Sequence, residues 1–345
     1  MRRLLKTVPF FLLFPSSAFS QRIEPVVRTE PVKGNPDDPA IWRNRRNPAQ
    51  SRVYGTTKLA APDGAVVVFD LEGKIIQTIA NIDRPNNIDV EEGFRLGGKR
   101  VDIAVATERN KNALRVFSID PADGKLTDIS GGGLPVFESE PEERRKPMGI
   151  GLFRRKDGEI FAIVSRKSGP SGAYLWQYRI SGAGGKVQLE KVREFGAFSG
   201  TGEIEAIVVD DELGFIYYSD EGAGIRKYHA DPAHAEAARE LAVFGAEHYQ
   251  GDREGLAILA TGRGKGYLVS TDQIAAGSKF YFYPREGTQR GAPVHTVETA
   301  LESTDGLEID TRSFGPKFPH GIVAAMNNAQ NNFWFFRAGD WLPRK

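Results

Sequence analysis

Six times along the chain, an alternating run of apolar and aromatic residues leads through a polar or glycine-bearing turn into a second such run. The first is Val66-Val67-Val68-Phe69-Asp70-Leu71, turning at Glu72-Gly73-Lys74 into Ile75-Ile76-Gln77-Thr78-Ile79. The design returns at 114–119 with Asp123-Gly124-Lys125, at 174–180 with Gly184-Gly185-Lys186, and then at 225–228, 279–283 and 332–337. With Phe69, Phe117, Tyr178, Tyr228, Tyr283 and Phe335 as markers, the steps are 48, 61, 50, 55 and 52 residues. A strand–turn–strand unit repeating at that period has the size of a propeller blade. Further strand-like runs at 100–106, 160–164, 215–218 and 266–269 bring each unit to about four strands. The expectation is an all-β chain folded as a six-bladed β-propeller with about four antiparallel strands per blade. A pair of β-sandwiches would alternate as well, but would not space its units evenly over the whole length.

Two segments are read separately. Asp231-Pro232 with the Ala-rich run to Leu241 supplies an N-cap, a proline at N1 and good helix formers, and predicts a short inserted helix. Gly262-Arg263-Gly264-Lys265-Gly266 has the look of a phosphate loop but joins two strand runs, so a hairpin turn is expected there.

The N-terminus has a different character. Arg2, Arg3 and Lys6 precede the apolar run at 8–14, and Ala18-Phe19-Ser20 then places small residues where a signal peptidase reads. Residues 1–20 are therefore expected to be a secretory leader, and 21–345 one propeller exported to the periplasm or beyond. Without the leader's three cations, 43 Lys and Arg stand against 45 Asp and Glu, a net charge of −2. No positive field remains to attract nucleic acid, and no later stretch approaches eighteen apolar residues, so no membrane span is expected. There is no cysteine, hence no disulfide, thiolate nucleophile or zinc–sulfur site. A closed propeller needs no partner, and a monomer is expected.

Acidic residues gather beside the strand runs: Asp37-Asp38, Asp89, Glu203 with Glu205, Asp220-Glu221, Asp252 with Glu254, and Asp305 with Glu308. In a propeller, equivalent blade positions meet around one end of the central channel. Converging carboxylates repel one another unless a cation compensates. An all-oxygen donor set without cysteine points to Ca²⁺. Three cations also stand at strand ends, Lys58, Arg109 and Lys167. Beside calcium they would form an anion site, Arg as a bidentate fork and Lys as a point charge. No G-x-S-x-G elbow, H-E-x-x-H helix or P-loop is present, and the five histidines have no ligand spacing.

In order along the chain stand Asp37-Asp38-Pro39-Ala40-Ile41-Trp42, Asn86-Asn87-Ile88-Asp89, Glu205-Ala206, Asp210-Asp211-Glu212-Leu213-Gly214, Asp252-Arg253-Glu254-Gly255-Leu256, Gly264-Lys265-Gly266-Tyr267-Leu268 and Thr304-Asp305-Gly306-Leu307. With these motifs the chain resembles the β-propeller phytases, secreted six-bladed calcium-dependent phosphatases, from about residue 30 to residue 325. The resemblance implies that Asp37, Glu205, Glu221, Asp252, Glu254 and Asp305 surround catalytic calcium ions, and that Lys58, Arg109 and Lys167 bind phosphate. It implies direct attack of calcium-activated water on phosphorus without a phosphoenzyme, with Glu221 or Asp252 handling the proton. Phytate is the leading substrate, two of its adjacent phosphates bridging the calcium cluster and the basic side. Met148 stands where the family commonly has Tyr and Thr299 where an acid is expected, which predicts one weaker calcium site. The alternatives are a calcium-dependent lactonase or esterase on the same architecture, which leaves the three cations idle, or a non-catalytic binding propeller.

Overall fold

A computed structural model describes residues 21–287 and 291–343, so the expected leader lies outside the described residues. Six antiparallel sheets succeed one another around a ring. Blade 1 runs from Pro36–Trp42 through Arg52–Thr57 and Ala65–Phe69 to Ile75–Ile79. The first strands of the other five are Pro85–Leu96, Pro147–Arg154, Ile207–Asp210, Leu256–Gly262 and Leu307–Asp310. All six line a central cavity of about 310 Å³. The last blade is closed by the N-terminal segment Val27–Arg28, which pairs antiparallel with Asn332–Arg337. The ring is thus joined by strand pairing between the two ends of the chain.

The apolar residues form no single central core. They form six clusters, each wedged between two neighbouring blades. This arises from the two-residue period of a strand with both faces covered. In Ala65–Phe69, Val66 and Val68 join the cluster shared with blade 2, while Ala65, Val67 and Phe69 join the one shared with blade 6. Phe69 meets Phe333 edge-on at 5.7 Å across that second seam. Gly55 is required beside them, since a Cβ there would lie 2.4 Å from the Phe333 ring. The hairpins also form where sequence placed them: Asp70 Oδ1 accepts from the backbone N–H of Glu72 and Lys74, and Gly73 takes φ +83°. The 262–266 glycines turn between Leu256–Gly262 and Lys265–Asp272, a hairpin as expected.

The expected helix at 231–241 is not there. Asp231 does cap, accepting from Ala233 N at 3.0 Å, but the backbone then runs as successive three-residue turns, His234 N to Asp231 O, Ala237 N to His234 O and Arg239 N to Glu236 O. A segment this short is marginal as a helix without an apolar face to pack, and between Asp231 and Leu241 only Ala237 is buried. The Arg193 guanidinium binds the Ala237 carbonyl at 2.5 Å and draws it onto the blade. Among the described residues no helix is long and apolar enough to cross a membrane.

Candidate active site at the channel mouth

One register repeats in every blade. The first and second strands pair Pro39 with Gly55, Ile88 with Ala106, Ile150 with Val164, Ile207 with Tyr218, Leu256 with Ser270 and Leu307 with Ala325. Three residues past the second member of each pair stand Lys58, Arg109, Lys167, Glu221, Gln273 and Asn328. Each donates its backbone N–H to the loop entering its own first strand, at Asn35, Arg84, Lys146, Glu203, Asp252 and Glu302 respectively. Two residues before the first member stand Asp37, Asn86, Met148, Glu205, Glu254 and Asp305. The fold therefore gives two six-membered rings of side chains at one end of the channel. Lys58, Arg109, Lys167, Glu205, Glu221, Asp252 and Glu254, with Asn35, Arg84 and Glu203, line a cavity of about 280 Å³ there.

Lys58 is the hub of the acidic group. Its ammonium lies 2.8 Å from Asp37 Oδ1, 2.6 Å from Asp305 Oδ2 and 3.8 Å from Glu205 Oε1. Burial alone would lower its pKa, but Asp37, Glu205 and Asp305 outweigh burial and hold it above the ordinary lysine value. Asp37, only 1 % exposed, is pushed up to about 6, burial dominating over the pull of Lys58. Asn86 bridges the ring, its Nδ2 donating to Asp37 Oδ2 at 3.0 Å and to Glu205 Oε1 at 2.8 Å. Burial and the Asp37 charge raise Glu205. Asp305 takes a further hydrogen bond from Gln273 Nε2 and is also raised by burial.

Gly149 sets the place of Glu205, because a Cβ there would lie 1.7 Å from the Glu205 carbonyl oxygen. Glu221 accepts from Glu203 N at 2.9 Å, and burial, then Asp252 and Glu205, lift it to about 7. Glu254 is raised further by burial and by Glu205, and its Oε2 is buried without a hydrogen-bond partner. Asp252 is exposed at the rim, where its backbone bridges to Gln273.

On the other side, the Arg109 guanidinium is buried, and its Nε has no partner. Lys167 pairs with Glu203, and burial together with Arg109 lowers its pKa.

All nine residues singled out from the sequence thus come to one mouth, but the remaining acids divide. Asp38, Asp89 and Glu308 point down the channel, with Glu91 and Asp211. Asp38 Oδ2 accepts from Ile88 N at 3.0 Å and Asp89 Oδ2 from Leu152 N at 2.7 Å. Asp220 turns into its blade to bind Arg226 and Ser199. Position 299 is not at the mouth: the buried Thr299 accepts from Leu301 N behind the last strand of blade 5. Met148 occupies the blade 3 place in the inner ring, the one apolar member.

Nor do the carboxylates form a ready ligand cage. Among the described residues no three acidic or histidine side chains are grouped as metal ligands; Asp37, Glu205 and Asp305 turn instead to Lys58, Asn86 or Gln273, and Glu221 to a backbone N–H. The donor chemistry nonetheless fits a hard cation: it is all oxygen, its acids are lifted by burial and then by mutual repulsion, and Glu254 Oε2 is buried without a partner. Gln273 and Arg84 were not singled out from sequence, and Asn86 and Glu203 appeared there only within a motif and among the gathered acids, with no role. Counting outward from each strand pair would have found them, but the strand pairing itself is not visible in one sequence.

The six-bladed wheel sets carboxylates against cations at its mouth, a charge arrangement that suits an anionic group. The chain matches the family described as Phytase over residues 14–333. It is 32% identical over 311 residues to the 3-phytase of Bacillus subtilis (strain 168), covering 87% of this chain and 77% of that one. The chain belongs to the phytase family and is a phytate-hydrolysing enzyme. Among solved structures, a calcium-binding protein, regucalcin, from Agrobacterium tumefaciens str. C58 superposes with a TM-score of 0.55 at 12% identity, over 90% of this chain and 93% of that one. A putative 6-phosphogluconolactonase from Bacteroides uniformis gives 0.55 at 14%, over 86% and 80%. At these identities the likeness is one of fold.

Proposed function

We propose that the chain is a calcium-dependent phosphomonoesterase, exported from the cytoplasm, that removes phosphate from phytate by direct attack of water on phosphorus. The observation that carries this reading is the division of the mouth, with Glu205, Glu221, Asp252 and Glu254 facing Arg109 and Lys167 across one cavity. Asp37, Glu205, Glu221, Asp252, Glu254 and Asp305 would hold the calcium. When bound, it would offset phosphoryl charge and lower the pKa of water.

The chain's own residues do the rest. Arg109 presents an unpaired guanidinium to the phosphate and Lys58 and Lys167 add point charges, so the negative charge that develops on phosphorus is met by groups already in place. Glu221 or Asp252 takes a proton as the water oxygen bonds to phosphorus, and returns one to the inositol oxygen as the P–O ester bond breaks. Export is supported by the basic, apolar and small-residue order of 1–20. Secreted protein whose N-terminus reads Gln21 would establish it.

The test is phosphate release from phytate and from p-nitrophenyl phosphate, with calcium and with excess chelator, alongside thermal unfolding. Activity is expected only with calcium, together with a higher melting temperature, since a cation bound to the folded state alone stabilises it. No phosphate release at any calcium concentration, or the same rate and melting curve in chelator, rejects the reading.

A further inference from the structure

We propose that Arg253 is a positioning residue: from behind the mouth it holds Glu221 of blade 4 in place against Asp252 and Glu254 of blade 5, and so presets the spacing of these carboxylates. This rests on the reading of those acids as the cation side of a phosphatase, and goes beyond it in naming what fixes their spacing.

Arg253 stands between two of the acids in the chain. Asp252 and Glu254 line the mouth cavity, whereas Arg253 turns the other way, into the seam between blades 4 and 5, and is only 8 % exposed. Each of its three side-chain nitrogens donates to a backbone carbonyl: Nε to Gly245 at 2.8 Å, Nη2 to Ala246 at 2.7 Å and Nη1 to Glu221 at 2.6 Å. Gly245 and Ala246 follow the outer strand of blade 4, Ala242–Phe244. The guanidinium also lies 4.3 Å from the ring centre of Tyr249. No carboxylate takes part in these bonds.

Packing alone does not account for such a residue. Burying a charge costs free energy that an apolar side chain avoids, and the seam is otherwise apolar and aromatic, built from Tyr217, Phe244, Leu256, Leu268 and Tyr283. What Arg253 supplies and an apolar side chain could not is a rigid fork. It ties the carbonyl of Glu221 to the stretch of chain that carries Asp252 and Glu254.

The tie falls at a seam that lacks the usual one. Between blades 1 and 2, 2 and 3, and 3 and 4, a strand-end hydroxyl crosses to the next blade, from Thr56 to Asn86 O, Thr107 to Met148 O and Ser165 to Ile204 O. The equivalent Ser219, two residues before Glu221, has a buried hydroxyl without a partner. Glu221 follows the second strand of blade 4, Phe215–Asp220, and its N–H bonds to Glu203 O at 3.2 Å within the same blade. Arg253 is the residue that reaches back to it from blade 5. Ionised Glu221, Asp252 and Glu254 repel one another around the cavity they share, and a carbonyl clamped from behind keeps the Glu221 hairpin from yielding to that repulsion.

The experiment compares wild type with Arg253→Met, which keeps the length without the fork, with Arg253→Lys, which keeps the charge without the fork, and with Arg193→Met as a control. Arg193 is a clamp of the same kind elsewhere: it holds the carbonyls of His229 at 2.7 Å and Ala237 at 2.5 Å, and none of the three lines the mouth cavity. Calcium binding is measured by calorimetry, which needs no turnover, alongside kcat and KM on phytate and thermal unfolding. Arg253→Met is expected to bind calcium about tenfold more weakly and to lose about 10²-fold in kcat. Its KM should stay within about threefold of wild type, because the basic side of the mouth is untouched, and Arg253→Lys should fall in between. Arg193→Met should lose thermal stability but keep the wild-type kcat and calcium affinity. Unchanged kcat and calcium affinity in both Arg253 variants, or the same losses in Arg193→Met, overturn the assignment. A wild type that binds calcium but releases no phosphate overturns the phosphatase reading, and the calcium affinities then decide the role of Arg253 by themselves.

Discussion

Blades 1 to 3 and blades 4 to 6 are built to one register, yet they present opposite charge to the channel mouth. Past the second strand the first three blades place Lys58, Arg109 and Lys167, whereas the last three place Glu221, Gln273 and Asn328. The strand-end hydroxyls differ too. Thr56 and Thr107 donate to the inner strand of the next blade, at Asn86 O and Met148 O, and Ser165 to the loop entering it, at Ile204 O. Ser219 and Thr271, in the same register, have buried hydroxyls without partners. At this one position the hydroxyls of the basic half are hydrogen-bonded to the neighbouring blade, and those of blades 4 and 5 are not. A repeating scaffold supplies equivalent positions, and substitution at those positions divides the wheel into a side suited to cations and a side suited to anions.

The strongest way to break that division is to neutralise the acidic half at its best-buried glutamate. Glu205→Gln keeps the shape and the Asn86 bridge, and is expected to lower kcat/KM on phytate by about 10² to 10³-fold while thermal unfolding moves by only a few degrees. Turnover at the wild-type rate would remove Glu205 from the site.

The next largest effect should come from Lys58, the cation of the basic half that reaches across to the acids. Lys58→Met leaves Asp37 buried without its counter-charge, a loss of about 3 kcal/mol on the scale of broken buried pairs. Added calcium should restore more stability in this variant than in wild type, because a divalent ion can take over the ammonium's place among Asp37, Glu205 and Asp305. Unfolding curves with and without calcium decide it; an identical calcium response in both proteins would mean that Lys58 and the cation do not share these oxygens.

The smallest effect lies below the mouth, where the two halves are not polarised at all. Glu91 of blade 2 and Asp211 of blade 4 face each other in the channel, and burial, then the Asp211 charge, raise Glu91 from 4.5 to about 9. Between those values the folded protein keeps a proton that the unfolded chain releases, so stability falls as pH rises through that window. Glu91→Gln cannot ionise. It should raise the melting temperature by a few degrees at pH 8 and by less at pH 5, and equal shifts at both would show that Glu91 is not protonated in the fold.

Much of this was legible in the chain itself. Local alternation announces strands, Asp and Gly announce the hairpins at 70–74, and even spacing announces six of them. The DDPAIW and D-x-E-G-L segments marked where the acids stand. The misses have a common origin. The stretch from Asp231 to Leu241 has helix-forming residues, but Arg193, 38 or more residues earlier, captures its backbone, and no local signal shows that. Arg84 reads as one cation in a loop until the register places it between Lys58 and Arg109.

The sequence alone determined which segments become strands and how many blades they make, because both depend on side chains a few residues apart. Only the tertiary structure decided which acids meet at the mouth and which descend into the channel, and which cations pair and which stay free. Those outcomes depend on closing the ring, which brings Lys58 against Asp305 across 247 positions of chain and lets their charges set one another's ionisation.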